Sequence, residues 1–123
     1  MFKYEPGKDV GPLEDWPFEN PESNYQIKEG DPKASGRIDA GGEGHTTRVG
    51  IWRCTKGVFE CTEQGDELMT ILSGRCRLID QISGQISELK PGDSLFVRDG
   101  SRMNWDVIED VTKVFFGQKT DKF

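Results

Sequence analysis

The sequence predicts an all-β fold, an antiparallel jelly-roll barrel, on three observations. Glycine is abundant, with 15 copies in 123 residues. Short apolar runs alternate with turn dipeptides such as Lys56-Gly57 and Pro91-Gly92, and these signals recur roughly every ten residues. No stretch sustains the apolar period of a helix. A chain of this length forms one domain.

The apolar runs after Thr46 are short and are each bounded by turn residues. They predict eight strands: Arg48–Cys54, Val58–Thr62, Glu67–Ser73, Arg75–Asp80, Gln85–Leu89, Ser94–Arg98, Met103–Val107 and Thr112–Gly117. Strands of this number and spacing are typical of a closed or two-sheet jelly roll. The barrel is therefore expected to span residues 46–123.

Residues 1–45 differ in composition from the barrel. They hold five of the six prolines, which disfavour regular ladders and helix interiors. They also hold aromatic side chains that are costly to leave in water: Phe2, Tyr4, Trp16, Phe18 and Tyr25. We expect an extended N-terminal arm that packs on the barrel, or on a partner's barrel, through these aromatics.

Two classes of partner are not expected from the charge and the apolar segments of the sequence. The net charge is −6 and there is no run of lysine or arginine, so a nucleic-acid partner is not expected. The chain has no apolar signal segment, transmembrane run or lipidation motif, so a membrane partner is not expected either. These features predict a soluble, cytoplasmic protein.

The three cysteines match no zinc or redox spacing. In a hairpin whose turn is Lys56-Gly57, Cys54 and Cys61 do not lie opposite one another, which disfavours a disulfide. We expect these two residues and Cys76 to be small buried hydrophobic side chains.

Two segments carry a recognisable glycine and carboxylate pattern: Gly57–Gly74 (GVFECTEQGDELMTILSG) and Gly92–Val107 (GDSLFVRDGSRMNWDV). In these segments Glu67 stands seven residues before Gly74, and Gly100 stands eight residues after Gly92. The pattern resembles the two motifs of the RmlC-like cupin superfamily. GIWRCTKGVFE, GDPKASGR and WDV are similar to small cupins related to ureidoglycine aminohydrolase and to the ethanolamine-utilisation cupins. The resemblance implies a cupin barrel, a fold that hosts isomerases, dioxygenases, hydrolases and binding proteins.

The resemblance also shows where metal-binding histidines would stand. Those positions carry Cys61, Glu63 and Met103 in this sequence. Together with Glu67 they mix soft and hard donors and suit neither iron, manganese nor zinc. The sole histidine, His45, lies outside both motifs and is expected in a loop. We expect no metal and no other cofactor.

Glu67 is the strongest candidate for a catalytic or ligand-binding residue. In the resembled fold its side chain points into the barrel mouth, where burial would raise its pKa unless a cation pairs with it. Further pocket candidates surround it: Trp52, Phe59, Cys61, Glu63, Met69, Met103 and Trp105. Alternatively Glu67 is a structural residue satisfied by Arg75, Arg77 or backbone donors, and the apolar candidates fill the barrel interior.

Three functions are compatible with the sequence. The first is a metal-free cupin that binds a small polar metabolite in the barrel mouth, with Glu67 as its central polar group. The alternative is a metabolic enzyme, a hydrolase like ureidoglycine aminohydrolase or an isomerase, in which Glu67 is the acid or base with or without a metal. The third is an interaction protein that assembles through the arm. A homodimer is expected, because cupins of the resembled type commonly pair.

Overall fold

The computed structural model describes all 123 residues and is almost entirely β-structure. Its elements are β1 (Glu14–Asp15), a one-turn 3-10 helix (Pro21–Ser23), β2 (Gln26–Gly30), β3 (Ala34–Gly41), β4 (Thr47–Cys54), β5 (Gly57–Thr62), β6 (Asp66–Asp80), β7 (Ile86–Leu89), β8 (Ser94–Val97) and β9 (Arg102–Gln118). The predicted all-β fold is confirmed. No helix is long and apolar enough to cross a membrane.

Strands β6 and β9 pair with each other along most of their length and belong to both halves of the barrel. In one half, the end of β9 (residues 111–118) lies between β4 and the start of β6, with β3 and β8 outside them. In the other half, the start of β9 (residues 102–107) lies between β5 and the end of β6, with β2 and β7 outside. All pairs are antiparallel, as the jelly-roll prediction requires.

Two of the predicted strand boundaries are wrong. The sequence predicts a gap between strands at Gly74 and another between Val107 and Thr112, but β6 and β9 continue through both. The register of the β6–β9 pair shifts between Ile71 and Cys76, so Gly74 lies in a β-bulge rather than in a turn. The expected hairpin at Lys56-Gly57 is also wrong, because β4 and β5 each pair with a different part of β9.

Gly74→Ala is expected to destabilise the fold by about 3 kcal/mol. Gly74 has a φ of +76°, and an added Cβ would collide with the backbone of Asp110 and Val111. Gly84→Ala is the matched control, because Gly84 has the same φ of +76° but nothing within 4 Å of its added Cβ. It should cost only about 1 kcal/mol in urea unfolding. An equal loss of unfolding free energy in the two variants would contradict the close packing of Gly74 against the backbone of β9.

Part of the proline-rich arm joins the sheet. Strands β2 and β3 pair with β5 and β4, although the sequence predicts no ladders there. That expectation is wrong for residues 26–41 because Pro32 lies in the connection between the two strands. Its missing N–H is therefore not needed by either ladder.

The arm aromatics have different environments. Trp16, Phe18 and Tyr25 pack against the hydrophobic core of their own barrel. The Tyr4 hydroxyl donates a hydrogen bond of 2.6 Å to Asp39 on β3. Phe2 remains 60% exposed. The segment around residues 16–25 is thus a part of the barrel wall.

The hydrophobic core lies between the two halves and takes residues from most strands. It contains all three cysteines, which are free and buried, as the sequence predicts. His45 is exposed in the connection between β3 and β4. Trp105 and Phe59 are the largest fully buried side chains, and they stand opposite each other on β9 and β5.

Candidate functional site

One cavity of about 180 Å³ gathers charged and aromatic side chains at one end of the barrel. Four strands contribute to it: β4, β5, β6 and β9. The arm segment of residues 16–25 closes one side with Trp16, Pro17, Asn20, Ser23 and Tyr25. We call this space the mouth cavity.

The structure brings most of the predicted site residues to this cavity. Its lining includes Glu67 and five of the seven other candidates, namely Trp52, Phe59, Cys61, Glu63 and Trp105. Met69 and Met103 do not line it. Met69 is fully buried in the core, and Met103 lines a separate cavity with Leu78 and Val97.

Glu67 forms a buried ion pair. Its Oε2 atom accepts a hydrogen bond of 2.5 Å from Nζ of Lys113, and the two residues are only 7% and 5% exposed. The ammonium group also lies over the rings of Trp52, at 4.8 Å, and Trp105, at 4.7 Å. Cation–π contacts of this kind attract an ammonium group more strongly when it is desolvated.

The alternative partners expected for Glu67 are wrong. Arg75 pairs with Glu109 and Arg77 pairs with Asp106, each at 3.4 Å and on partly exposed side chains. Lys113 is the residue that sequence reasoning missed. In the structure Val111, Lys113 and Phe115 alternate along β9 and are all buried. A lysine at an inward position of such a run indicates a buried charge with a partner.

Glu63 is a second carboxyl in the cavity, in the connection from β5 to β6. Its Oε1 atom accepts a hydrogen bond of 3.0 Å from the indole of Trp105 and one of 3.6 Å from the thiol of Cys61. Burial raises the pKa of Glu63, and the negative charge of Glu67 raises it further. Lys113 and the two hydrogen bonds oppose that rise without cancelling it.

Cys61 is a thiol rather than a thiolate. Burial raises the pKa of Cys61, and Glu63 adds to the effect. A cysteine nucleophile requires a lowered pKa or an adjacent base. Cys61 therefore serves as a weak donor to Glu63.

Glu63→Gln should change how stability depends on pH. A carboxyl with a raised pKa binds its proton more tightly in the folded state, so wild-type stability should fall as the pH rises above the ordinary value of 4.5. The amide keeps the acceptor for Trp105 and does not ionise. We expect equal unfolding free energies of the two proteins at about pH 4 and a more stable variant at about pH 8. A variant less stable at the higher pH would show that ionised Glu63 stabilises the fold.

Arg48 is the second cation of the cavity and was also missed from the sequence. It lies on β4, and its guanidinium group stacks over the ring of Phe123 at 4.0 Å and near that of Phe115 at 5.6 Å. Burial lowers its pKa from the ordinary value, while Glu67 and Glu63 act in the opposite direction. No carboxylate of the protein forms an ion pair with it.

Aromatic rings pack against one another on the arm side of the cavity. Phe18 stacks on Tyr25, and both rings contact Phe59, at centroid distances of 4.6 to 6.1 Å. Burial raises the pKa of Tyr25 to about 12, so its hydroxyl stays neutral. The cavity thus has a charged floor on β4, β6 and β9 and aromatic sides.

The residues present do not fit a divalent metal. Of the three positions where histidines would stand, Met103 faces another cavity and Cys61 retains its proton. Lys113 already neutralises Glu67 with an ammonium group. A cation introduced beside this ammonium would be repelled, and soft and hard donors are mixed around it.

A jelly-roll barrel with its polar groups gathered in one mouth has the architecture of a cupin. The chain belongs to the EutQ-like cupin family, because the family model for the EutQ-like cupin domain matches residues 41–115. The resemblance seen in the sequence motifs is thereby confirmed.

Solved structures agree with this fold. The EutQ protein of Clostridium difficile is 15% identical, with a TM-score of 0.61 over 78% of this chain and 82% of that one. A cupin-like protein from Thermotoga maritima is 10% identical, with a TM-score of 0.69 over 93% and 84%. A protein of unknown function from Pseudomonas syringae pv. tomato is 22% identical, with a TM-score of 0.67 over 87% and 44%.

These identities are too low to carry a function, so the structures support the fold alone. No curated protein matches the sequence.

Proposed function

We propose that this cupin binds a small polar metabolite in the mouth cavity and does so without a resident metal. The observation that carries the proposal is the ion pair of Glu67 and Lys113 on the floor of a cavity walled by Trp52 and Trp105. Small-molecule sites in proteins combine a mainly apolar wall with a few fixed polar groups.

The arrangement supports binding because its charges are held in place. Lys113 is fixed by Glu67 and by two indole rings, so little side-chain entropy is lost when a ligand contacts it. Glu67 orients the ammonium group and offers its second oxygen to a ligand. The rings supply apolar contact area around these polar atoms.

A panel of small polar metabolites tests the proposal in thermal melts. A true ligand at a hundredfold excess over its Kd should raise Tm by about 10 °C, because that excess adds about 2.7 kcal/mol. The shift should change in Glu67→Gln, which alters the charge of the cavity, and stay the same in Glu88→Gln, which changes an exposed carboxylate on β7. A shift that is equal in both variants would place the binding elsewhere. A panel that covers amines, acids, amides and sugars and yields no shift would overturn the proposal.

An enzyme is the second candidate function, and the environment of Glu63 favours it. Glu67 is already paired with Lys113, so the expected acid–base role passes to Glu63, whose pKa is raised by burial. A carboxyl with a raised pKa keeps its proton to a higher pH than usual and can protonate a leaving group or an enolate, as a hydrolase or isomerase requires. Product analysis with each ligand from the panel distinguishes turnover from binding, and Glu63→Gln should abolish turnover.

The homodimer expected from the sequence stays a prediction. The described contacts of the arm are with its own barrel.

A further inference from the structure

The guanidinium group of Arg48 has a buried nitrogen without a partner. Its Nε atom is shielded from water and makes no hydrogen bond. Buried polar atoms in proteins almost always have a partner, and an unpaired nitrogen on a charged group is costly. Nε is shielded from the mouth cavity as well, but Arg48 lines this cavity and no protein atom accepts a hydrogen bond from its two terminal nitrogens. A ligand in the cavity can therefore supply the missing acceptor to these nitrogens.

The position of Arg48 is fixed by packing rather than by an anion. Gly117 on β9 stands opposite Arg48 and leaves room for its stem, with an added Cβ only 3.4 Å from the side chain. The ring of Phe123 covers the guanidinium plane at 4.0 Å. Phe123 is itself held by backbone hydrogen bonds to Gly44 and His45. The guanidinium fork is thus ordered before any acceptor arrives.

The charges of the cavity leave one cation unmatched. Lys113 is matched by Glu67, and the remaining carboxyl is Glu63, which burial and Glu67 keep protonated to a higher pH than usual. With that proton in place, Arg48 supplies one surplus positive charge. A single surplus charge favours a monoanion, and the planar fork of arginine matches a carboxylate.

Glu63 can contribute a second contact. Both of its hydrogen bonds fall on Oε1, and Oε2 has no partner in the protein. Oε2 is not shielded from solvent, and because Glu63 lines the mouth cavity, this oxygen is open to it. A protonated carboxyl can donate from this oxygen to a ligand acceptor.

We propose that the mouth cavity takes a small monocarboxylate, whose carboxylate group Arg48 binds and to which the protonated Glu63 donates. The proposal rests on the proposed function, since it names the ligand class of the same cavity. It also predicts that binding weakens as the pH rises, because ionised Glu63 would repel the ligand. The groups that face Glu63 in this equilibrium are Cys61 on β5, Glu67 on β6, Lys113 on β9, Arg48 on β4 and Tyr25 of the arm.

The test is a titration with three molecules of similar shape: propionate, propionamide and propylammonium. Tryptophan fluorescence is the readout, because all three tryptophans of the chain line the mouth cavity. At about pH 5.5 and constant ionic strength, propionate should bind at least tenfold more tightly than propionamide. Propylammonium should not bind. Propionate binding should weaken at about pH 8, and in Glu63→Gln that dependence on pH should disappear.

Variants of two arginines on β4 identify the binding group. Arg48→Met should weaken propionate binding at least tenfold, and Arg48→Lys should retain part of it. Arg53→Met is the matched control, because Arg53 is exposed, lies on the opposite face of the same strand and should leave binding unchanged. Thermal melts establish that each variant is folded. If Arg48→Met unfolds, propionate affinity is measured in Arg48→Lys and in Arg53→Lys instead. Only Arg48→Lys should then bind propionate more weakly than the wild type.

Two results would overturn the inference while leaving the proposed function intact. One is binding of propionamide or propylammonium as tight as that of propionate. The other is an unchanged affinity for propionate in the Arg48 variants. Absence of binding by all three probes also overturns it, and in that case the thermal-shift panel decides the proposed function separately. Tighter binding of inorganic phosphate than of propionate would assign the cavity to dianions instead.

Discussion

Lys113→Met should destabilise the fold by about 3 to 5 kcal/mol. The methionine fills a similar volume, but Glu67 is left as an unpaired carboxylate that is only 7% exposed. A loss of this size is a large part of the stability of a small domain. Urea unfolding at neutral pH measures it directly.

The double variant Lys113→Met with Glu67→Gln is the control for this loss. It removes both charges, so most of the stability should return, since a buried ion pair adds little over neutral groups of similar shape. Glu67→Gln alone should also destabilise, because it leaves the ammonium of Lys113 without its anion. A loss below about 1 kcal/mol for Lys113→Met would show that water reaches Glu67.

Trp105→Ala should cost about 3 to 5 kcal/mol. Trp105 is 2% exposed, and its ring lies parallel to that of Phe59, at 6.1 Å, and tilted to that of Trp52, at 5.0 Å. The truncation leaves a void at the junction of the core and the mouth cavity. Phe116→Ala is the control, because Phe116 is on the same strand but 47% exposed and should cost far less.

Trp105→Phe separates the packing of this residue from its hydrogen bond. The smaller ring keeps most of the stacking but removes the indole N–H that donates to Glu63. Because that donor favours the ionised carboxyl, its loss should raise the pKa of Glu63 further. Carboxyl carbon shifts followed by NMR across the pH range would show the change. An unchanged or lower pKa of Glu63 would contradict the assigned hydrogen bond.

The fold was predictable from the sequence because it depends on local patterns. Turn residues between short apolar runs mark most strand ends, and the two glycine motifs identify the barrel. The continuous β6 was not predictable, since Gly74 in a bulge has the same sequence signature as a glycine in a turn. The pairing of β2 and β3 was missed because the prolines around them suggested an irregular arm.

The site was predictable only in part. Glu67, Glu63 and Cys61 follow from motif positions, and all three line the mouth cavity. Lys113 and Arg48 were not found, because their roles depend on contacts between distant parts of the chain. Lys113 and Glu67 are 46 residues apart in the sequence, and they meet only because β6 pairs with β9 and the lysine side chain reaches along the inner face of that pair. The role of Arg48 depends on Phe123 at the end of the chain.

Mapping of ligand-induced chemical shifts tests the central claim that the mouth cavity is a binding site. In a spectrum that correlates amide and indole protons with nitrogen, propionate or a metabolite identified by the panel should move the indole resonances of Trp16, Trp52 and Trp105 most, since all three line the cavity. Backbone amides of Arg48 and Glu63 should follow. Shifts confined to the other cavities, such as the one lined by Leu95 and Phe96, would contradict the account.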